Sequence, residues 1–234
     1  MSSNPLQASL DILISPNETF SLVKDKKNWS WVPFGLVSLA TAGLFLYYFS
    51  SIDFDWMLNQ MLEQIAIDEG LSDEELQITS QYMTKSNMMW STTIGALLGT
   101  IVVNIVMALY YFLVTRIATT EHLSFGKWHG FVWWISMPLV VSYLLAFLII
   151  IFSTNGMVTL EDLSPTSLGF LSESSSRWFG LFNSLNIFSF WTVALAFIGL
   201  RAWLGVDQNK ALAIASGPTL TIYGIWTLYL LTTG

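Results

Sequence analysis

Five long apolar stretches constrain this chain more than any other feature of its sequence. A helix needs about 20 apolar residues to cross a hydrocarbon core of about 30 Å, and each stretch has roughly that length. The sequence therefore predicts an all-α protein whose five membrane-spanning helices form a bundle within a domain over residues 31–234. The predicted spans cover residues of about 32–49, 90–115, 131–152, 182–201 and 211–231.

Composition supports a lipid environment. Hydrophobic residues make up 53% of the 234 residues and charged residues only 11%, whereas a typical soluble domain is about one quarter charged. The chain has no cysteine, so disulfides, thiolate metal sites and a cysteine nucleophile are excluded. Residues 1–23 contain no Lys or Arg and no long apolar run, so we expect no cleaved signal peptide.

The first 30 residues predict a cytoplasmic, interfacial N-terminal segment with an amphipathic helix. Its apolar residues recur at near-helical spacing, at Leu6, Leu10, Leu13 and Ile14. Three lysines then precede two tryptophans, in the order Lys24, Lys26, Lys27, Trp29 and Trp31. Basic and aromatic side chains in this arrangement are typical of a membrane boundary.

Residues 50–90 predict a helical, acidic segment outside the membrane. It contains eight acidic residues and a single basic one, Lys85. Ser72 and Glu75 have the spacing of a capping box, so a helix is expected to begin at Asp73 and to lead towards the second span.

Polar side chains within the spans form the candidate functional face. On the second span, Asn104 lies near the midpoint with Thr100 and the small pair Gly95 and Gly99. A carboxamide in hydrocarbon needs a hydrogen-bond partner, and small residues let two helices approach closely. The face predicts either packing between helices or the wall of a permeation path. Its members on the fourth and fifth spans are Asn183, Asn186, Ser189, Thr192 and Tyr223.

Two prolines lie inside predicted spans. Pro138 removes one backbone hydrogen bond and is expected to kink the third span around the Trp134 carbonyl. Pro218 leaves the Ile214 carbonyl without its helical donor. We expect a nearby hydroxyl or a neighbouring helix to satisfy that carbonyl.

The basic residues are distributed unevenly between the two sides of the predicted membrane domain. Seven of the nine lie on one side, and only Lys85 and Arg177 lie on the other. Cytoplasmic loops carry an excess of Lys and Arg, so the seven-base side is predicted to be cytoplasmic. The N-terminus is then inside and the C-terminus outside.

Two stretches resemble bacterial members of the Ypt-interacting-protein (Yip) family. The first is Ser184 to Gly199, followed by Asn209-Lys210-Ala211, and the second is Ser15-Pro16-Asn17-Glu18-Thr19-Phe20, followed by Trp31 and Pro33. The Asp-Leu-Tyr-Gly-Pro and Gly-Tyr-Gly-x-Ser signatures of eukaryotic members are absent, so Rab-type GTPase binding is not carried over. The resemblance implies an integral protein of the bacterial inner membrane with the topology derived above.

The sequence lacks the residue patterns of the common enzyme classes. Metalloprotease, serine hydrolase and phosphate-loop motifs do not occur, and no carboxylate lies within a span. Glu121, His122 and His129 offer too few ligands to predict a metal site.

We therefore expect a protein that is not an enzyme, has no cofactor and acts through protein or lipid contacts. A small neutral-solute or lipid permease is the alternative. The expected partners are membrane lipids, a second copy or another membrane protein, and no nucleic acid.

Overall fold

The computed structural model describes residues 2–173 and 175–233, without the side chain of Asp68. Met1, Ser174 and Gly234 fall within the predicted domain ranges but lie outside the described residues. The α helices of the described chain are α1 (Pro5–Ile14), α2 (Pro16–Val23), α3 (Trp31–Ser51), α4 (Phe54–Glu69), α5 (Asp73–Tyr82), α6 (Lys85–Ala118), α7 (Phe125–Ile135), α8 (Pro138–Phe152), α9 (Phe179–Ser184), α10 (Ile187–Leu204) and α11 (Gln208–Thr232).

Five helical segments are long and apolar enough to cross a membrane. They are Trp31–Ser51, Lys85–Ala118, Phe125–Phe152, Ile187–Leu204 and Gln208–Thr232. Large apolar side chains along α6 remain more than half exposed, including Leu98, Val102 and Val106. Lipid tails would cover such a surface, which is unusual for a soluble monomer. The predicted all-α class with five spans is confirmed.

The chain divides into two compact units, each with its own apolar core. The first comprises Met1–Val37, Thr100–Ser142 and Thr166–Gly234, and the second comprises Ser38–Gly99 and Tyr143–Pro165. In the first unit the core is centred on buried aromatic rings. The ring of Phe131 lies 5.3 Å from that of Trp128 and 5.0 Å from that of Trp203.

The N-terminal segment is docked on this first core. The sequence predicted one interfacial helix, but the chain breaks at Ser15, ahead of Pro16, into α1 and α2. Ile12 of α1 and Phe20 of α2 are fully buried. The predicted interfacial residues Leu6, Leu10 and Ile14 are instead 54%, 58% and 81% exposed. Helix α1 therefore has two apolar sides, one packed in the protein and one exposed.

In the second unit, hydrogen bonds connect the end of α3 to the segment that follows α8. The buried Tyr48 hydroxyl donates to the Val158 carbonyl at 2.8 Å. Gly156, at φ 65°, accepts from the Asp53 backbone N–H at 2.9 Å. A Cβ atom at Gly156 would lie 2.9 Å from the Asp53 nitrogen, so both the backbone conformation and the close approach require glycine.

The capping box predicted at the start of α5 is present. The Ser72 backbone N–H and hydroxyl both donate to the Glu75 carboxylate, at 2.9 and 2.7 Å. Because these bonds favour the ionised form, the pKa of Glu75 is lowered below its usual value of 4.5. Helix α5 ends at Tyr82, and two residues separate it from α6, so it does not continue directly into the second span.

This capping box predicts an acid-sensitive helix start. The stabilisation by ionised Glu75 is complete above the ordinary pKa of about 4.5 and is lost as pH falls through the lowered folded-state value. Hydrogen–deuterium exchange at the first turn of α5 should accelerate, relative to the chemical rate, as pH falls below that range. Glu75→Gln retains an acceptor oxygen but does not titrate, so it should abolish this pH dependence. An unchanged dependence in Glu75→Gln would contradict the assignment.

The third predicted span is interrupted at its proline. A kinked but continuous helix was expected over residues 131–152, whereas α7 ends at Ile135 and α8 begins at Pro138 itself. Proline is well accommodated at the first helical position because its missing N–H has no helical partner there. The Trp134 carbonyl instead accepts from the Met137 N–H at 3.3 Å, which closes a tight turn between the two helices.

Candidate intramembrane binding site

A half-open cavity of about 390 Å³ lies between α6, α7, α10 and α11 of the first unit. This volume falls within the range of about 300–1,000 Å³ that is usual for small-molecule sites. Most of the wall is apolar, and the polar residues in it are uncharged. These polar lining residues are Thr100, Asn104, Tyr111, Ser136, Ser189, Thr192, Thr219 and Tyr223.

Asn104 supplies a positioned carboxamide in the cavity wall. Its side chain is 3% exposed and donates to the Thr100 carbonyl at 2.9 Å. Its oxygen accepts from the Ser136 hydroxyl at 3.2 Å, and that hydroxyl also lies 2.8 Å from the Val132 carbonyl. A carboxamide has two N–H donors and two acceptor positions. One N–H and one acceptor position of Asn104 therefore have no partner among the described residues.

Replacing Asn104 with leucine should reduce the free energy of unfolding by only about 1 kcal/mol, since polar bonds between membrane helices are individually modest. Ser136 keeps its bond to Val132 in this variant, so no second group is left unpaired. Thermal or denaturant unfolding in detergent would measure the change. A loss of several kcal/mol would contradict the local network described here.

The two other asparagines predicted for this face lie elsewhere. The sequence predicted one helix from about residue 182 to 201, but α9 ends at Ser184, and Asn186 adopts an extended backbone conformation. The Asn186 side chain caps α10 by accepting from the Ser189 backbone N–H at 3.0 Å. Asn183 belongs to α9, so the break at Leu185 separates it from the polar residues of α10. Ser189 and Thr192 remain on α10 and do line the cavity.

Pro218 lies inside α11 and lines the cavity. The Ile214 carbonyl, which Pro218 leaves without a helical donor, accepts from the Tyr110 hydroxyl of α6 at 2.9 Å. A Cβ atom at Gly217 would overlap that same hydroxyl. Proline, glycine and tyrosine thus form one connection between α6 and α11 beside the cavity.

Tyrosines define both ends of the cavity. The Tyr223 hydroxyl donates to the Ser184 carbonyl at 3.1 Å, which ties α11 to α9 at one end. At the other end, Tyr111 is 1% exposed and packs edge-on against Phe131, with 5.3 Å between ring centroids. The adjoining Trp128 is fully buried, and its Nε1 has no hydrogen-bond partner among the described residues.

The cavity is shorter than the thickness of a membrane. Its lining on α6 runs from Thr100 to Tyr111, eleven residue steps, or about 16 Å at about 1.5 Å per residue. A hydrocarbon core is about 30 Å thick. The lining on α6 therefore covers only part of the hydrocarbon thickness. At the Tyr111 end of this lining, the buried rings of Tyr111 and Phe131 pack against each other.

Three residues of this region were not included in the polar face predicted from the sequence. Ser136 and Thr219 were detectable as hydroxyls within apolar runs, close to the two prolines. Tyr110 gave no distinguishing signal, because aromatic residues in membrane spans occur equally at lipid interfaces and in cores.

His129 is in α7, where its Nε2 lies 3.2 Å from Trp133 Nε1. The residues that the structure describes contain no group of three potential His, Cys, Asp or Glu metal ligands.

The five spans and the uncharged cavity define a multi-pass integral membrane protein. The Yip1 domain family model matches residues 10–231, which is almost the whole chain. The protein therefore belongs to the Yip1 domain family. Searches of curated proteins and of solved structures returned no significant match.

Proposed function

We propose that this Yip-family protein acts without catalysis, by holding a neutral, lipid-like molecule in its intramembrane cavity. The observation that carries the proposal is the cavity lining, in which uncharged hydrogen-bonding groups interrupt an apolar wall. Such a lining suits a molecule with an apolar body and a hydroxyl, ester or amide group. Asn104, Ser189 and Thr192 would bind the polar group, and the apolar walls would contact the hydrocarbon.

The chemistry of the lining supports a binding role rather than turnover. A serine or threonine nucleophile needs an adjacent base, and a general acid or base needs a titratable group near neutral pH. The described lining residues include no Asp, Glu, His or Lys. The Ser189 hydroxyl lies 3.3 Å from the Asn186 carboxamide oxygen, a group that cannot take up its proton.

A cavity-filling variant tests the proposal. Thr192→Phe should occupy the cavity, whereas Thr232→Phe adds the same ring at an exposed position near the end of α11. With diacylglycerol as the probe, native mass spectrometry should detect bound lipid on the wild type and Thr232→Phe. Thr192→Phe should show a clear loss of bound diacylglycerol. Equal retention by folded Thr192→Phe would contradict the proposed site.

A small neutral-solute or lipid permease is the second candidate, and the half-open cavity with its hydroxyl groups favours it. Glycerol flux into proteoliposomes, lost in folded Asn104→Leu but not in Asn59→Leu, would support permeation. Asn59 serves as the control because it is exposed on α4 and lies outside the cavity lining. Vesicles as tight as protein-free ones would exclude glycerol flux and leave the binding role.

We also propose a bacterial inner-membrane location, with the N-terminus in the cytoplasm and the C-terminus outside. The excess of basic residues on one side supports this orientation. Because the chain has no cysteine, Ser3→Cys and Thr233→Cys each introduce a single label. An impermeant maleimide should label the Thr233→Cys variant in intact spheroplasts and the Ser3→Cys variant only after lysis. The reverse pattern would contradict the orientation.

A second copy of the chain is the protein partner we propose. Gly95 and Gly99 are exposed on α6, and no described atom lies within 4 Å of a Cβ built at either position. The sequence predicted that a helix packs closely against this pair, but no described part of the chain does so. Leucine at both positions should shift a dimer to a monomer in light-scattering measurements. An unchanged mass would count against this interface.

A further inference from the structure

We propose that a second cavity in the first unit binds an anionic phospholipid, with its headgroup at a lysine cluster and one acyl chain along an apolar floor. The cavity has a volume of about 710 Å³ and lies between residues 23–34, the middle of α6 and the first turns of α7. It shares no lining residue with the intramembrane cavity. The inference is therefore independent of the function proposed above.

The charged end of this cavity is formed by Lys26, Lys27 and Lys127, and its described lining contains no Asp or Glu. The Lys127 ammonium donates to the Lys24 carbonyl, which holds it in place. Lys26 Nζ lies 5.2 Å from the centroid of the Trp29 ring. Lys27 is exposed and makes no polar side-chain contact within the described residues. Three lysines that line one cavity complement a phosphate charge.

Neutral donors surround the same end. Ser124, Phe125 and Gly126 line the cavity at the start of α7, where first-turn backbone N–H groups have no helical acceptor. A Cβ atom built at Gly126 meets no described atom within 4 Å, so the space beside this turn is open. These donors add to the lysine charges, which are the main attraction.

The floor of the cavity explains why the ligand is a lipid rather than a soluble anion. Phe34, Trp133, Ile101 and Ile105 line it. Ile105 lies thirteen residues before Ala118, where α6 ends, or about 20 Å along the helix at about 1.5 Å per residue. The lining thus passes from lysines at the helix ends to apolar side chains at the depth of acyl chains. A free phosphate would leave this floor uncovered.

Brominated lipids provide the test, because bromine quenches tryptophan fluorescence on contact and Trp31 and Trp133 line the cavity. Brominated phosphatidylglycerol, titrated into phosphatidylcholine nanodiscs holding the full chain, should quench at lower mole fraction than brominated phosphatidylcholine. Each lysine near a membrane surface contributes an attraction equivalent to about fivefold in affinity. Lys27→Gln should therefore weaken the preference about fivefold, and Lys26→Gln with Lys27→Gln about 25-fold. Lys85→Gln makes the same charge change at an exposed position outside this cavity and should have no effect.

Three results would overturn the proposal. The first is equal quenching of the wild type by the two lipids, which requires no variant to fold. The second is an unchanged preference in the double lysine variant. The third is loss of the phosphatidylglycerol preference in millimolar inorganic phosphate at constant ionic strength, which would show that a soluble anion occupies the site.

Discussion

Replacing Gly199 with leucine is expected to reduce the free energy of unfolding by about 3 kcal/mol or more, at the upper end of the cost of overpacking. A Cβ atom at this position in α10 would lie 2.5 Å from Phe131 Cε2 and 2.9 Å from Phe20 Cε1. Both rings are fully buried, so they have little space to move away. The glycine therefore lets α2 and α7 pack against the same side of α10.

Gly224→Leu is the matched control, since no described atom lies within 4 Å of a Cβ at that exposed glycine of α11. Leucine has a higher helix propensity than glycine by somewhat under about 1 kcal/mol, so this variant should be neutral or slightly more stable. Thermal unfolding in detergent, followed by tryptophan fluorescence, would compare the two variants. Equal melting temperatures would show that the core around Gly199 is not packed as described.

Replacing Trp203 with alanine should cost about 3–5 kcal/mol, as for other large side chains removed from a core. Trp203 is 3% exposed, and its Nε1 donates to the Phe20 carbonyl at 2.9 Å. Its backbone carbonyl also accepts from the Lys24 ammonium. The variant therefore loses both core packing and a direct connection to α2, and we expect α1 and α2 to detach from the remaining helices.

Limited trypsin digestion would detect this detachment at Lys24, which directly follows α2 and whose ammonium donates to the Trp203 carbonyl. Cleavage there should be much faster in Trp203→Ala than in the wild type. Trp203→Phe removes the N–H but keeps an aromatic ring, so its effect should be smaller, at about 1 kcal/mol for the lost hydrogen bond. Trp90→Ala removes a half-exposed indole from α6 and serves as the control. If trypsin cleaved Trp203→Ala no faster than the wild type, the docking of α1 and α2 on the core would be contradicted.

The class of this fold could be predicted because hydrophobicity, helix length and capping are local properties of the sequence. Five apolar runs determine five spans, and Ser72 with Glu75 determines the start of α5. The break before α10 was missed although Asn186 carried a local signal, an N-cap residue three positions before Ser189. Apolar residues on both sides of this break made it resemble the interior of a span.

The partners within the site could not be predicted because they depend on packing between distant segments. Asn104 needed a partner, but only the arrangement of α6 and α7 selects Ser136 over Asn186. The carbonyl exposed by Pro218 needed a donor, and only the approach of α6 supplies Tyr110. The sequence thus identified the groups that need a hydrogen-bond partner, the Asn104 carboxamide and the carbonyl freed by Pro218. The three-dimensional structure was needed to identify each partner.

A cryo-EM structure of the protein in lipid nanodiscs would show whether the intramembrane cavity holds a lipid-like molecule. We expect density for a non-protein molecule between α6, α7, α10 and α11, with a polar atom about 3 Å from the Asn104 carboxamide or the Ser189 hydroxyl. Side chains that close the cavity would contradict a binding site. A continuous hydrated channel from the cavity to both membrane surfaces would also contradict it and would favour permeation.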